Sequence, residues 1–306
     1  MRIDINLDQL LLGYNINLEI LYPVDKLINK REIYSILEDW HFDGKLCAVP
    51  YIFFVDTHIT DNFVDCYYNN QKAFTIEVEE CFELNLIDVA NKIFGCVDVQ
   101  HPGVELLLNS SGIAISGTIK NYNSELVSVP FSQRIDSPET VFQSRNPPHR
   151  AHEQIVSEYA PNLLYTTPFV TAKKSDYKFE KKIESFIKMR EVYGIEIYVS
   201  TVPRIFAGPR EALQNCIIFQ NLGAKYMIMG RGKNCIGNFY GETESFDLCD
   251  KFYQSGELQI KPIWYDTIKL DDTELKASVI KSTYIDNQIR PPESLMSHYI
   301  SDILLQ

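Results

Sequence analysis

The sequence predicts an α/β protein, with a β-rich N-terminal part followed by a part built on a parallel sheet. Alternating or continuous apolar runs dominate residues 45–130 and are broken by polar turns. After residue 140 short apolar strands alternate with helical stretches, the pattern of a parallel α/β sheet. Between them, Asn121 to Pro138 is rich in Ser, Asn and Pro and reads as a connection. The expected division is therefore 1–130 and 131–306, with a small C-terminal subdomain from about 240 to 306.

Taken in order, Glu32 to Trp40 and Ile87 to Phe94 read as short helices. Ala48 to Val55, Ala73 to Val78 and Gly112 to Ile119 read as strands. In the second part Thr140-Val-Phe142 is a short strand, Pro147 to Tyr159 a helix, Lys178 to Tyr193 a long helix and Ile195 to Thr201 a β-branched strand. Pro209 to Leu222 carries Pro in its first turn and Gly223 just past its end, the asymmetry of a helix. Tyr226-Met-Ile-Met229 then forms another strand.

With 306 residues, 45% of them hydrophobic, the chain can bury a core large enough for two domains. A formal charge of −12 argues against a surface that attracts nucleic acid or an anionic membrane, but not against a local cationic pocket. No apolar run reaches the length of a membrane span, and Met1-Arg-Ile-Asp-Ile-Asn lacks the pattern of a signal peptide. Seven cysteines, at 47, 66, 81, 96, 216, 235 and 249, are scattered without a C-x-x-C pair. That usage fits reduced thiols in a cytoplasmic protein better than a disulfide frame or a zinc site.

Three turns are suited to anions. Phe142-Gln-Ser-Arg-Asn-Pro-Pro-His-Arg-Ala-His-Glu153 leaves a strand and enters a helix, whose N–H groups and dipole favour phosphate. Arg145 adds a permanently charged fork, and His149 and His152, three apart, share a helix face. Imidazolium groups there can neutralise charge as a phosphate departs. In Ala207-Gly-Pro-Arg-Glu-Ala212, Gly208 permits close backbone approach, while Arg210 either contacts phosphate or pairs structurally with a carboxylate. Met229-Gly-Arg-Gly-Lys-Asn-Cys-Ile-Gly237 offers two early glycines and two cations directly after a strand.

Gln143 to His152 resembles the Q-T-R-N-P-x-H-R-A-H motif of ATP sulfurylases, and Ala207 to Ala212 their A-G-P-R-E-A. Gly230 to Gly237 stands where that family has G-R-D-H-A-G-x-G. Asp43-Gly-Lys-Leu-Cys-Ala-Val-Pro50, Phe94-Gly-Cys-Val-Asp-Val-Gln-His-Pro-Gly-Val104 and Arg290-Pro-Pro-Glu-Ser-Leu-Met296 are similar to further family segments, so the resemblance spans nearly the whole chain.

The resemblance implies a PUA-like β domain followed by an α/β nucleotidyltransferase domain of the H-x-G-H, Rossmann-like kind. It implies attack of sulfate on the α-phosphorus of MgATP, giving adenylyl sulfate and pyrophosphate, by a homo-oligomer such as a dimer. Mg2+ would come with ATP, and no protein-bound zinc is expected. Gln143, Arg145 and Asn234 would hold sulfate, and Ser144, Arg145, Asn146, His149 and His152 would line the reaction centre. Gln143, Asn146, His149, His152, Gly208, Arg210, Gly230, Arg231, Gly232, Lys233 and Ile263 would contact the nucleotide, Ile263 through its backbone to adenine. The chain departs from the family pattern at Gly232-Lys-Asn-Cys235, at Lys281-Ser-Thr-Tyr-Ile-Asp286 and at Thr171. A different oxyanion or small acid as acceptor, or a non-catalytic nucleotide-binding paralogue, are the alternatives those departures suggest.

Overall fold

The computed structural model describes residues 1–132, 138–169, 177–230, 236–266, 269–270 and 273–306. Its contacts divide the chain into two compact units: Met1–Ser128 with Val202–Asn221 and Gly232–Ile260, and Val129–Thr201 with Leu222–Arg231 and Lys261–Gln306.

The first unit opens with β1 (Arg2–Asp4), α1 (Leu7–Asn17), α2 (Lys30–Asp39) and a hairpin of β2 (His41–Phe42) and β3 (Lys45–Leu46). It continues through β4 (Phe63–Tyr68), β5 (Gln71–Glu83), α3 (Leu86–Phe94), α4 (Pro102–Leu108) and β6 (Ile113–Lys120). Four strands form one sheet in the order β1-β4-β5-β6, parallel at the β1 edge and antiparallel elsewhere. Asn6 and Asn29 start α1 and α2 with capping boxes, each side chain accepting from the third helical N–H. His101 starts α4 by accepting from Gly103 and Val104 N–H at 3.2 and 3.3 Å, with Pro102 preset for the first turn.

Two sequence expectations change here. α1 and α4 are helices that apolar periodicity did not disclose, because α1 is buried nearly all round and α4 is only 7 residues long. Ala48 to Val55, expected as a strand, is buried but makes only one isolated bridge, Phe54 to Ala114. The reason is that the Ala48 and Val49 N–H groups donate to the Gln214 side-chain oxygen at 3.0 and 3.2 Å instead of joining a ladder. Gln214 lies on α7 (Pro209–Asn221), which with α8 (Glu244–Gln254) completes this unit.

The second unit contains β7 (Thr140–Gln143), α5 (Arg150–Tyr159), β8 (Leu163–Pro168), α6 (Phe179–Tyr193), β9 (Glu196–Ser200), β10 (Tyr226–Gly230) and β11 (Lys261–Tyr265). The strands form a fully parallel sheet in the order β11-β10-β7-β8-β9. Numbered from β7 this is 3-2-1-4-5, a doubly wound arrangement whose order reverses between β7 and β10. Helices α9 (Ala277–Thr283) and α10 (His298–Leu305) close the chain. Phe142, Ile155, Val156, Tyr165, Phe186, Ile228, Met296, Ile300 and Leu304 share one apolar core. α6 ends at Gly194, in the left-handed region at φ 65°.

Gly117 in β6 is approached by Glu77 of β5 and bridged to Leu27. At φ +151° a Cβ would stand 2.1 Å from the Glu77 carbonyl oxygen. Gly117→Ala is therefore expected to cost about 2 kcal/mol or more, read as a lowered midpoint in chemical denaturation.

Candidate nucleotide site

A parallel sheet leaves a crevice at the carboxyl ends of its strands where the strand order reverses. Here that place lies between β7 and β10. Ile228 pairs with Phe142 on one side and with Ile263 on the other. In that register Gly230, the last residue of β10, falls level with Ser144, one residue past the end of β7 at Gln143. Ile263 lies on β11, the edge strand, where alternate backbone polar groups face away from β10.

Beyond β7 the chain turns sharply into α5. The Ser144 N–H donates to the Thr166 carbonyl at 2.9 Å, holding the end of β7 to β8. The buried Ser144 hydroxyl lies 3.2 Å from the Asn146 N–H, which donates to it, and 3.4 Å from His152 Nε2. Pro147 and Pro148 delay the helix, so it starts at Arg150 with His149 as N-cap rather than at Pro147. The His149 N–H then donates to His152 Nδ1 at 3.3 Å, and the two imidazoles stack with centroids 3.9 Å apart. His152 also packs on Phe142, which stacks on Tyr165. Arg145 is exposed.

Burial pushes the His149 imidazole down to about 4. That shift favours the uncharged imidazole at neutral pH. Among the described residues its Nδ1 is buried without a hydrogen-bond partner. A polar nitrogen so placed costs free energy until a ligand or water meets it.

The segment thus brings Gln143, Ser144, Arg145, Asn146, His149 and His152 to the same strand ends as Gly230, with Ile263 on the flanking edge strand. Arg231, Gly232, Lys233 and Asn234 lie outside the described residues. So does Thr171.

Gly208 and Arg210 belong to the first unit and are committed there. Gly208 has φ +53°, and a Cβ would meet the Tyr240 ring at 2.3 Å, so its close approach is to a side chain of that unit. Tyr240 donates to the Phe94 carbonyl at 3.2 Å and lies 3.0 Å from His101 Nε2, tying three motif segments into one packed knot. The buried Arg210 guanidinium donates to the carbonyls of Ile36, Leu37 and Ala48 at 3.4, 2.7 and 2.9 Å and stacks 3.7 Å from the Trp40 ring centroid. Ile36 and Leu37 carry two of the unpaired carbonyls at the end of α2, so Arg210 caps that helix. Among the described residues its partners are carbonyls rather than the carboxylate first considered.

Sequence reasoning passed over Glu153, whose carboxylate is buried one residue beyond His152. The available signal was its three-residue spacing from Arg150, with which it pairs at 2.8 Å.

Among the described residues no group of three His, Cys, Asp or Glu is placed to hold a metal ion. Nor is any helix among them long and apolar enough to cross a membrane.

Comparison with known proteins agrees with this architecture. A family model described as ATP-sulfurylase matches residues 138–306, and one described as a PUA-like domain matches residues 3–124. The sulfate adenylyltransferase of Carboxydothermus hydrogenoformans is 27% identical over 275 residues, covering 80% of this chain and 71% of its own. That of Persephonella marina is 24% identical over 335 residues, covering 93% and 85%. Among solved structures, a hexameric APS kinase from Thiobacillus denitrificans superposes with a TM-score of 0.71 at 12% identity. It covers 99% of this chain, which spans 62% of that one, and it speaks for the fold.

Two outcomes are expected. In an NMR titration the His149 ring should change charge near pH 4. Because the unfolded chain protonates this group more readily, its contribution to stability should fall as pH drops from 6.5 towards 4. Arg210→Ala should lower stability by about 3 kcal/mol in denaturant titration, with Arg210→Lys a partial rescue, since a lysine cannot reach three carbonyls in one plane.

Proposed function

We propose, since the chain belongs to the ATP-sulfurylase family, that it is a nucleotidyltransferase joining sulfate to the adenylyl group of MgATP. A sulfate oxygen forms a bond to the α-phosphorus while the bond from that phosphorus to the bridging oxygen of the β-phosphate breaks. Pyrophosphate leaves with the electron pair, and adenylyl sulfate remains. Sulfate is already a dianion, so no side chain need act as nucleophile or base, and catalysis rests on positioning and charge stabilisation.

The observation that carries this reading is the Gln143–His152 segment, seated where the strand order of a doubly wound sheet reverses. In this reading Gln143 and Arg145 hold sulfate together with Asn234, and Arg145 also faces the reacting phosphorus. Ser144 and Asn146 shape the turn that presents them, through the Ser144 hydroxyl. His149 and His152 meet the β- and γ-phosphates, and the His149 Nδ1, without a partner among the described residues, supports that assignment. The His149 imidazole, neutral before ATP binds, would bring a directed hydrogen bond there and gain its proton as the phosphates gather charge. Gly230 with Arg231, Gly232 and Lys233 would follow the nucleotide, and Ile263 would offer backbone to adenine. Mg2+ would ride on the phosphates as part of the substrate. The enzyme would act in the cytoplasm as a homo-oligomer, a dimer being its smallest form. The relatives named sulfate adenylyltransferase favour sulfate over another acceptor.

Purified protein with MgATP and pyrophosphatase should release phosphate when sulfate or molybdate is added. Arg145→Ala should lower that rate at least about 100-fold with its unfolding midpoint unchanged. ATP binding without turnover on either anion would overturn the proposal, as would near wild-type rates in the variant.

A further inference from the structure

The segment Arg290–Met296 resembles a family motif but supplies no group to the transfer step. Glu293 and Leu295, with Ser297 and Tyr299 just beyond the segment, bond to the first turn of α5. The Arg150 N–H donates to the Leu295 carbonyl at 3.0 Å, and its guanidinium donates to the Glu293 carbonyl at 2.7 Å and to the Glu293 carboxylate. Glu153 Oε2 accepts from Arg150 at 2.8 Å, from the Ser297 hydroxyl at 2.5 Å and from the Tyr299 hydroxyl at 3.1 Å. Its other oxygen accepts from the Ser297 N–H at 3.4 Å. Glu153 is only 2% exposed, so these bonds decide whether its charge can be buried there at all.

At about 100° per residue, Arg150 and Glu153 occupy a face of α5 roughly a quarter turn from that of His149 and His152. The two faces belong to one turn and move as one body. The core side chains Ile155 and Val156 hold the middle of the helix. The polar bonds hold the end that carries the imidazoles.

We propose that Glu153, Ser297, Tyr299 and Glu293 are positioning residues. They form a clamp by which the C-terminal segment fixes the rotation of α5 and so aims His149 and His152 at the departing pyrophosphate. This rests on the function proposed above. Loosening the clamp should weaken stabilisation of the transition state while leaving the sulfate contacts of Gln143 and Arg145 in place.

The test compares Ser297→Ala and Tyr299→Phe with the wild type in the sulfate-dependent assay, together with the NMR titration of the His149 ring. Each variant removes one hydroxyl donor. The expected result is a kcat lowered about tenfold or more, a KM for sulfate within about twofold, and a His149 midpoint raised from about 4 towards 6.5. Ser297→Thr should restore both readouts. Asp302→Asn, which breaks the exposed Arg290–Asp302 pair in the same part of the chain, should change neither. Unchanged kcat and midpoint in both variants would overturn the clamp, as would a raised KM for sulfate at constant kcat. A wild type that releases no pyrophosphate with sulfate would instead defeat the functional reading, and the His149 midpoints would still decide the clamp. Should Ser297→Ala fail to fold, the milder Tyr299→Phe carries the same two readouts.

Discussion

The candidate site depends on β7 being the strand at which the sheet reverses its order. From β7 the chain winds outward through β8 to β9, then returns to place β10 against the other side of β7. Helices on successive crossovers therefore diverge at that point and leave the carboxyl ends of β7 and β10 uncovered. The pairing of Phe142 with Ile228 fixes the register, which puts Gln143 level with Met229 and Gly230 level with Ser144. A one-residue slip would turn Val141 and Phe142 to the wrong faces of the sheet. The buried apolar contacts of both side chains hold the register. The position of a polar turn is thus set by apolar packing.

Two buried charges show how this chain accommodates ionic groups. Arg210 gives its donors to carbonyls at the end of α2 and to Ala48, and an aromatic face covers its plane. Glu153 collects two hydroxyls, one guanidinium and one backbone N–H. In both cases every neighbour supplies the complementary polarity, which offsets much of the cost of leaving water. Both residues stand beside motifs that look catalytic, and both hold backbone in place.

This explains which parts of the molecule were legible in the sequence. The helices α2, α3, α6 and α7 and the strands β7, β9 and β10 were read within a few residues, since each carries a clear period, cap or glycine stop. The turn after β7 was legible because strand, prolines and helix fall within a dozen residues. What escaped depends on distant partners. The Ala48 region resembles a strand in composition, yet Gln214, far along the chain, takes its N–H groups. Arg210 reads in sequence as a ligand of phosphate or a partner of a carboxylate, and its bonds to the carbonyls of α2 depend on residues far away in the chain. The neutrality of His149 follows from burial, which an H-x-x-H spacing does not report.

That neutrality bears on how charge is handled during transfer. Arg145 is exposed, so in the function proposed above its guanidinium would meet an anion from the first encounter. His149 offers a buried nitrogen without a hydrogen-bond partner among the described residues, held against His152. A phosphate beside such a ring raises its affinity for a proton, because a nearby negative charge favours the charged form. The positive charge at His149 would then arise only when the phosphates are present, and most strongly as pyrophosphate gathers charge on leaving. An imidazole charged beforehand would stabilise bound ATP as well as the transition state and gain less in rate. Under the function proposed above, burial at the first turn of α5 would favour the transition state selectively, provided the helix is held at a fixed rotation.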